Sequence, residues 1–491
     1  MPSPHVLIVG LDGLRPDRVT PERMPTLWRL MQQGVHFRHH RAVFPTATRV
    51  NVASLVTGAT AGTHGVVNNS LFVPGLFADR AVDLGKYDVV EAANAYFGGR
   101  LLCTPSLGEI LAAHGQILAA LSAGTTGSNR LMHHTVKRQG GLVFSAHGLA
   151  PSFPPQEATA ILERFGPPPA AGTPDAARLA YLTTVFLEYV FPVHRPRVTI
   201  LWFSDPDRTY HYCGIGSPAA EEALRAVDTQ LGRLLDWLQQ PAQREAVNLI
   251  VLSDHGHLTV RHKVDVRAAL AAAGFAARHG SYEDADIAVV PWCCGALHVR
   301  QPRLLPQVAT WLLAQPWCGP LFTPGKNAVE GLVPGTFARA LVNVEHPRAA
   351  DLIYVLRSDE APDAHGVRGG CYDDSYLPLG GSTHGGLSPQ ELHSLCVAYG
   401  PAFREGYASE LPSGTFDLMP TVLHLLGYPL PAGIEGRVLH EALATPAAVE
   451  LPVETRTYTA EAPTPAGRYR QHLTLTRVGT TPYLERAWVE A

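Results

Sequence analysis

RAVFPTATRVNVASLVTGATAGTHGVVNN, running from Arg41 to Asn69, decides how the rest of this chain is read. The turn Pro45-Thr46-Ala47-Thr48 leads into Val50, Val52, Ala53, Leu55 and Val56, apolar at helical spacing, and Gly58 supplies a stop. Thr48 then stands near a helix N-terminus, where free backbone N–H groups and the positive end of the helix dipole stabilise a phosphoryl oxygen or an ionised hydroxyl. The same residues also suit a plain N-cap at Thr46 or Thr48. Acidic and histidine residues elsewhere in the chain decide between the two.

Three continuous apolar runs read as buried parallel strands: His5 to Gly10, Arg197 to Phe203 and Asn248 to Leu252. Each opens into aspartate. The first delivers Asp12, the second SDPDRTYH with Asp207 and His211 four apart, and the third Ser253-Asp254-His255-Gly256-His257. In open α/β sheets ligands bind at the carboxyl ends of strands, so all three endings are placed for chemistry. Carboxylate beside imidazole is a donor set suited to a borderline divalent cation. A glycine-rich loop, Gly380 to Gly386, can bring His384 close to the same point. Six ligand-type residues in these positions, with a threonine at a helix start, suit a two-metal phosphoryl-transfer centre.

Between these landmarks the chain alternates helices and strands. Met24 to Gly34 and Ala219 to Leu238 are expected as amphipathic helices. Leu101 to Ala123 reads as a helix followed by a strand, and Gly124 to Asn129 as a loop that lacks a P-loop lysine. Thr173 is a candidate N-cap, with Pro174 at the first helical position of a helix reaching Leu187. From about His262 the texture changes to short strands, helices and prolines, an inserted α+β subdomain. The expected layout is a catalytic α/β core over 1–261, an inserted α+β cap over 262–375, completion of the core over 376–445 and a peripheral β segment over 446–491.

The chain has 491 residues, 46% hydrophobic and 17% charged, which describes a globular protein with ample core. A net charge of −4 speaks against a nucleic-acid coat or a basic membrane surface. The opening MPSPHVLIVGLDG has no charged leader and only a short apolar run, so a cytoplasmic protein is expected. Seven cysteines without a CxxC pair fit reduced thiols, and Cys293-Cys294 fits buried strand residues better than a soft-metal site.

The motifs VGLDG, FPTATRVN, LVTG, THGVVNN, DPDRTYH, SDHGH, THGG and LMPTVLHLLGYPLPAGIEGR, in this order, resemble the alkaline phosphatase superfamily, and within it the nucleotide pyrophosphatase/phosphodiesterase branch. The resemblance implies an alkaline-phosphatase-like α/β fold with a mixed, mostly parallel sheet flanked by helices. It also implies two divalent cations, zinc first, with manganese, cobalt or iron as alternatives. By motif position, Asp207, His211 and His384 would hold one, and Asp12, Thr48, Asp254 and His255 the other. Thr48 would be the nucleophile that becomes phosphorylated, and Asn69 would bind phosphoryl oxygens. The implied substrate is a small-molecule phosphoester, with no nucleic-acid polymer and no membrane.

Substrate choice turns on departures from that pattern. Arg49 stands where many nucleotide pyrophosphatases carry an aromatic residue, and a guanidinium can stack on a base or pair with an anionic group. Phosphonoacetate hydrolase uses two closely spaced lysines, whereas this chain offers Lys137 with Arg138, and Arg49 or Arg130 as substitutes. Thr48-Arg49-Val50 does not meet the sulfatase pattern C/S-x-P-x-R. A phosphodiesterase is therefore expected, with a phosphonate hydrolase or phosphomonoesterase as alternatives, and a catalytically silent phospho-ligand-binding protein as the alternative of another class.

Overall fold

The computed structural model describes residues 4–77, 80–445, 451–465 and 467–490. The first residues of the expected C-terminal segment, 446–450, lie outside the described residues.

The three apolar runs form adjacent strands at the centre of an eight-stranded sheet. Its spatial order is Tyr407–Ser409, Val35–Phe37, Cys396–Tyr399, Val247–Leu252, His5–Leu11, Val198–Phe203, Leu118–Ser122 and Leu142–Ser145. All strands run parallel except Cys396–Tyr399, which is antiparallel to both its neighbours. Successive side chains of the central strand enter opposite layers. Val6 and Ile8 join the apolar core that contains Val50, Leu55 and Val56, while Leu7, Val9 and Leu11 pack with Leu224, Val227 and Leu231 of the Pro218–Leu238 helix. A strand covered on both faces must be apolar at every position, which is why these runs do not alternate. The register Leu11↔Phe203 and Gly10↔Leu252 brings the chain out of the sheet at one edge with Asp12, Asp207 and Asp254 just beyond.

The Thr48–Thr57 helix lies under that edge and is buried except at Arg49. Its polar residues are satisfied within the core. Asn51 accepts from the Val43 N–H at 2.7 Å, Ser54 Oγ meets His64 Nε2 at 3.0 Å, and Thr57 donates to the Ala53 carbonyl at 2.6 Å. Gly58 ends it in the left-handed region at φ 65°, where a side chain would be strained.

Leu258–Lys263 and Ser382–Thr383 pair antiparallel in a four-stranded sheet with Arg368–Asp373 and Ser358–Pro362. This pairing closes the chain around the intervening region, and Leu258↔Thr383 sets His257 beside His384. Within that region a six-stranded sheet runs in the order Ala277–His279, Ile287–Val290, Cys294–Val299, Leu352–Leu356, Cys318–Thr323 and Phe337–Ala338. It has an apolar layer of its own that includes Val266, Leu270, Val308 and Leu312. Val453–Thr464, Gly467–Val478 and Thr481–Val489 form a three-stranded meander. It is tied down by polar contacts: the Gln471 side chain accepts from the Leu321 N–H at 2.9 Å and donates to the Gly335 carbonyl at 2.7 Å, and Arg41 pairs with Glu485 at 2.6 Å.

Two local expectations are corrected. Gly124–Asn129 is not a loop throughout: a helix spans Thr126–Met132, capped by Thr125, whose hydroxyl accepts from the Ser128 N–H. The helix expected to start at Pro174 begins at Ala176. Asp175 precedes it, held by tertiary bonds from its N–H to Asp205 at 2.6 Å and from Ser204 Oγ to its carboxylate at 3.0 Å. Those partners are distant in sequence, so they override the local cap signal at Thr173.

Candidate active site

Thr48 is the first residue of its helix, behind Ala47 in extended conformation, and neither expected cap is one. Its hydroxyl is turned away from the helix, 3.4 Å from Asp12 Oδ1 and 3.2 Å from His255 Nε2. Thr46 instead locks the glycine-rich loop. Its hydroxyl donates to the Gly386 carbonyl and accepts from the Gly385 N–H, both at 3.0 Å, and its carbonyl accepts from His384 Nδ1 at 2.7 Å. The Cys293 thiol donates to the His384 carbonyl at 2.9 Å. Cys293 and Cys294 are buried, as expected, and all cysteines among the described residues are free.

Asp207 and His211 sit one turn apart on the Asp207–Cys213 helix. Three imidazole nitrogens converge on Asp207 Oδ1: His257 Nε2 at 2.9 Å, His211 Nε2 at 3.2 Å and His384 Nε2 at 3.5 Å. Beside them Asp254 Oδ2 lies 3.2 Å, and Asp12 Oδ1 3.7 Å, from His255 Nε2. Asp207, His255, His257 and His384 form one group able to hold a cation, and Asp12, Asp254 and His255 another.

The donor chemistry fits divalent cations. His211 Nδ1 faces the Ser382 carbonyl at 2.8 Å, His384 Nδ1 that of Thr46, and His255 Nδ1 that of Gly256 at 3.1 Å. A carbonyl only accepts, so each Nδ1 carries the proton and each neutral ring turns its Nε2 lone pair toward the carboxylates. Lone pairs facing carboxylate oxygens repel unless a cation or a proton lies between them. Asp254 Oδ2 is buried with no hydrogen-bond donor among the described residues. Burial, then the charges of Asp254 and Asp207, pushes the Asp12 carboxyl well above its usual range, and burial raises Asp254 against the pull of His255. Asp207 moves the opposite way: burial opposes ionisation, but His211 and His257 hold its carboxyl well below the usual range. His211 is raised because the Asp207 carboxylate overcomes its burial, while burial brings His257 down to about 3.

Asp12, Thr48, Asp207, His211 and His384 line a cavity of about 630 Å³. Asn69 reaches it from beyond the helix and accepts from the Arg49 N–H through Oδ1 at 3.1 Å. Arg49 lines the cavity, its guanidinium 3.5 Å from Asp83 and its buried Nε without a hydrogen-bond partner among the described residues. Tyr212, Tyr376, Trp292 and Arg208 complete the mouth.

The sequence profile of the family described as Type I phosphodiesterase / nucleotide pyrophosphatase matches residues 6–309, well over half of the chain. The chain belongs to this family. One relative, rat ectonucleotide pyrophosphatase/phosphodiesterase family member 3, is 26% identical over 257 residues, covering 52% of this chain and 25% of the relative. The venom phosphodiesterase of Naja atra is 26% identical over 260 residues, 52% of this chain and 26% of that protein. The chain thus spans about a quarter of the length of these relatives. Among solved structures, an inactive murine ectonucleotide pyrophosphatase/phosphodiesterase 5 in complex with AMP aligns over 90% of this chain and 100% of its own, at 21% identity and a TM-score of 0.61. Human ectonucleotide pyrophosphatase/phosphodiesterase 5 aligns with a TM-score of 0.62 at 20% identity. These likenesses establish the alkaline-phosphatase-like α/β fold.

Every residue singled out in the sequence for a site in a member of this family, Asp12, Thr48, Arg49, Asn69, Asp207, His211, Asp254, His255 and His384, lies in or against this one cluster. Two residues were missed. His257 stands in the quoted SDHGH stretch, two past His255, and alternation along an extended segment could have flagged it. Trp202, whose indole N–H donates to Asp12 Oδ2 at 2.9 Å, reads in sequence only as strand core. The cations weighed for a phosphonate carboxylate are elsewhere: Lys137 and the buried Arg130 pair with Glu91 at 2.9 Å, and Arg138 with Glu109 at 3.1 Å.

Proposed function

We propose that this chain is a metal-dependent phosphoester hydrolase, a phosphodiesterase or nucleotide pyrophosphatase that acts through a phospho-threonine on Thr48. The observation that carries this reading is the Thr48 hydroxyl, held at a helix start within 3.4 Å of Asp12 and His255 and open to a cavity that also contains the Asp207 cluster. Family membership and the AMP bound to the murine structure support a small phosphoester, such as a nucleotide, as substrate.

The proposed cofactor is a pair of zinc ions, one with Asp207, His211 and His384, the other with Asp12, Asp254, His255 and Thr48. When bound, they would neutralise phosphoryl charge and lower the barrier to ionising a hydroxyl. The chain supplies the rest. Thr48 Oγ1 attacks phosphorus, its O–P bond forming as the bond to the leaving alcohol or phosphate breaks. Its proton leaves to water in the cavity, because Asp12 Oδ1 and His255 Nε2, at 3.4 and 3.2 Å, would be committed to the cation. Water then cleaves the Thr48 O–P bond and regenerates the hydroxyl. Because Asn69 Oδ1 is committed to the Arg49 N–H, the amide donor Nδ2 is the end left for an equatorial phosphoryl oxygen.

Arg49 supports a second reading within the same chemistry. Its buried Nε, without a hydrogen-bond partner among the described residues, and its loose pairing with Asp83 leave a cation for the extra charge of a phosphomonoester or phosphonate. Hydrolysis of bis-p-nitrophenyl phosphate, p-nitrophenyl phosphate and p-nitrophenyl phenylphosphonate by zinc-, manganese-, cobalt- and iron-loaded protein separates the two. Preference for the diester, abolished in Thr48→Ala and by chelation, is the expected result. Preference for the monoester moves the assignment to the second reading. No turnover of any of the three by protein with metals bound would leave either a narrow substrate outside this set or a silent phospho-ligand-binding protein.

A further inference from the structure

The resemblance to the family assigns three protein ligands to one cation, Asp207, His211 and His384, but the structure brings a fourth side chain to the same point. His257 is fully buried, and of the three imidazoles around Asp207 Oδ1 its Nε2 is the nearest, at 2.9 Å. The rings of His211, His257 and His384 form a triangle with centroids 5.0, 5.0 and 5.1 Å apart. His257 Nδ1 lies 3.0 Å from Ser382 Oγ. The adjoining Ser382 carbonyl takes the Nδ1 proton of His211, so residue 382 orients both rings. Gly13, at φ 70°, makes room for this arrangement, since a Cβ there would collide with His257 Nε2 and approach Asp207 Cβ to 2.9 Å.

We infer that His257 is a direct ligand of the cation held by Asp207, His211 and His384, making that site one carboxylate and three imidazoles. With Nδ1–H donated to the Ser382 hydroxyl, the Nε2 lone pair faces Asp207 Oδ1, as those of His211 and His384 do. The two cation sites are then chemically unequal. Three neutral imidazoles and one carboxylate give the first a donor set suited to zinc or cobalt, whereas Asp12 and Asp254 with one imidazole make the second richer in hard oxygen donors. The inference rests on the proposal that the chain binds two divalent cations.

Cobalt(II) is the probe, because its visible spectrum reports ligand number and type. His257→Gln and His257→Ala are loaded with cobalt, and stoichiometry, chelator competition and the visible spectrum are compared with the parent. Glutamine retains an N–H that can donate to Asp207 but is a poor ligand, so it separates ligation from hydrogen bonding. Both variants are expected to lose affinity at one site by roughly 100-fold or more. They should retain the second cobalt, which shows that the fold is intact, and added imidazole should restore the lost site in His257→Ala. The inference is overturned if His257→Gln binds two cobalt ions with parental affinity and spectrum, which makes His257 a donor to Asp207 only. It is equally overturned if neither variant changes. A parent that binds no cobalt at all would instead refute the two-cation reading beneath it.

Discussion

Replacing Trp202 by Phe tests whether the strand core tunes the carboxylates proposed to bind metal. The indole is buried between strands, pressed against Gly10, where any Cβ would collide with the ring, and its N–H donates to Asp12 Oδ2 at 2.9 Å. Phenylalanine keeps an aromatic ring against Gly10 and removes the donor. A hydrogen bond to a charged group contributes about 1.5–3 kcal/mol. If that free energy favours the ionised, ligating form of Asp12, its loss weakens cation binding roughly 10- to 150-fold. The sign on pH follows. The Trp202 bond lowers the Asp12 pKa, so the variant's carboxyl holds its proton to higher pH and competes longer with the cation. Chelator competition across pH should show weaker binding, and the acid limb of kcat/KM should move to higher pH at limiting metal. Saturating metal should recover most of the activity, because Thr48 and the cavity are untouched. Parental affinity with an unmoved acid limb would refute the idea that this bond sets the charge state of Asp12.

Glu485→Gln should destabilise the protein at pH 7, with an effect that fades as pH falls toward 2 and disappears below it. Burial opposes ionisation of Glu485, but its bonds to His393 and Arg41 prevail and hold it at about 2. A fall from the ordinary 4.5 to about 2 corresponds to roughly 3 kcal/mol. That stability is complete above about pH 4.5 and lost as pH falls through the folded value, and thermal melts of both proteins across this window check it. Removing metal should lower the melting temperature, by an amount equivalent to about 2.7 kcal/mol if the free metal stands at 100 times its dissociation constant. The loss should be larger at pH 8 than at pH 5.5, because the raised pKa values of Asp12 and Asp254 make the metal-free fold costlier as these carboxyls are forced to ionise. Equal losses at both pH values would count against the crowding of these carboxylates as the cause.

How much was legible follows from how local each signal is. Strand-end aspartates are local: an apolar run buried on both faces stops where the chain leaves the sheet, so Asp12, Asp207 and Asp254 could be read as a set. His211 is local to Asp207 through one helical turn. That the Thr48 hydroxyl faces the acidic cluster rather than capping its helix was not local, because it depends on Asp12 and His255 reaching the helix start from 36 and 207 residues away. Thr46 shows the same limit, since the loop it locks begins more than 300 residues later.

Sequence alone determined the class of fold, the family and the residue types available to the site, because hydrophobic runs and strand endings are written residue by residue. Tertiary structure decided which of those residues share a point in space. The antiparallel pairing of Leu258 with Thr383 sets His257 beside His384, and Ser382 orients His257 and His211 together. The fold also turned Lys137, Arg138 and Arg130 toward glutamates, leaving Arg49 at the cavity beside Thr48. Side-chain convergence depends on the packing of segments hundreds of residues apart, and no pattern within one segment encodes it.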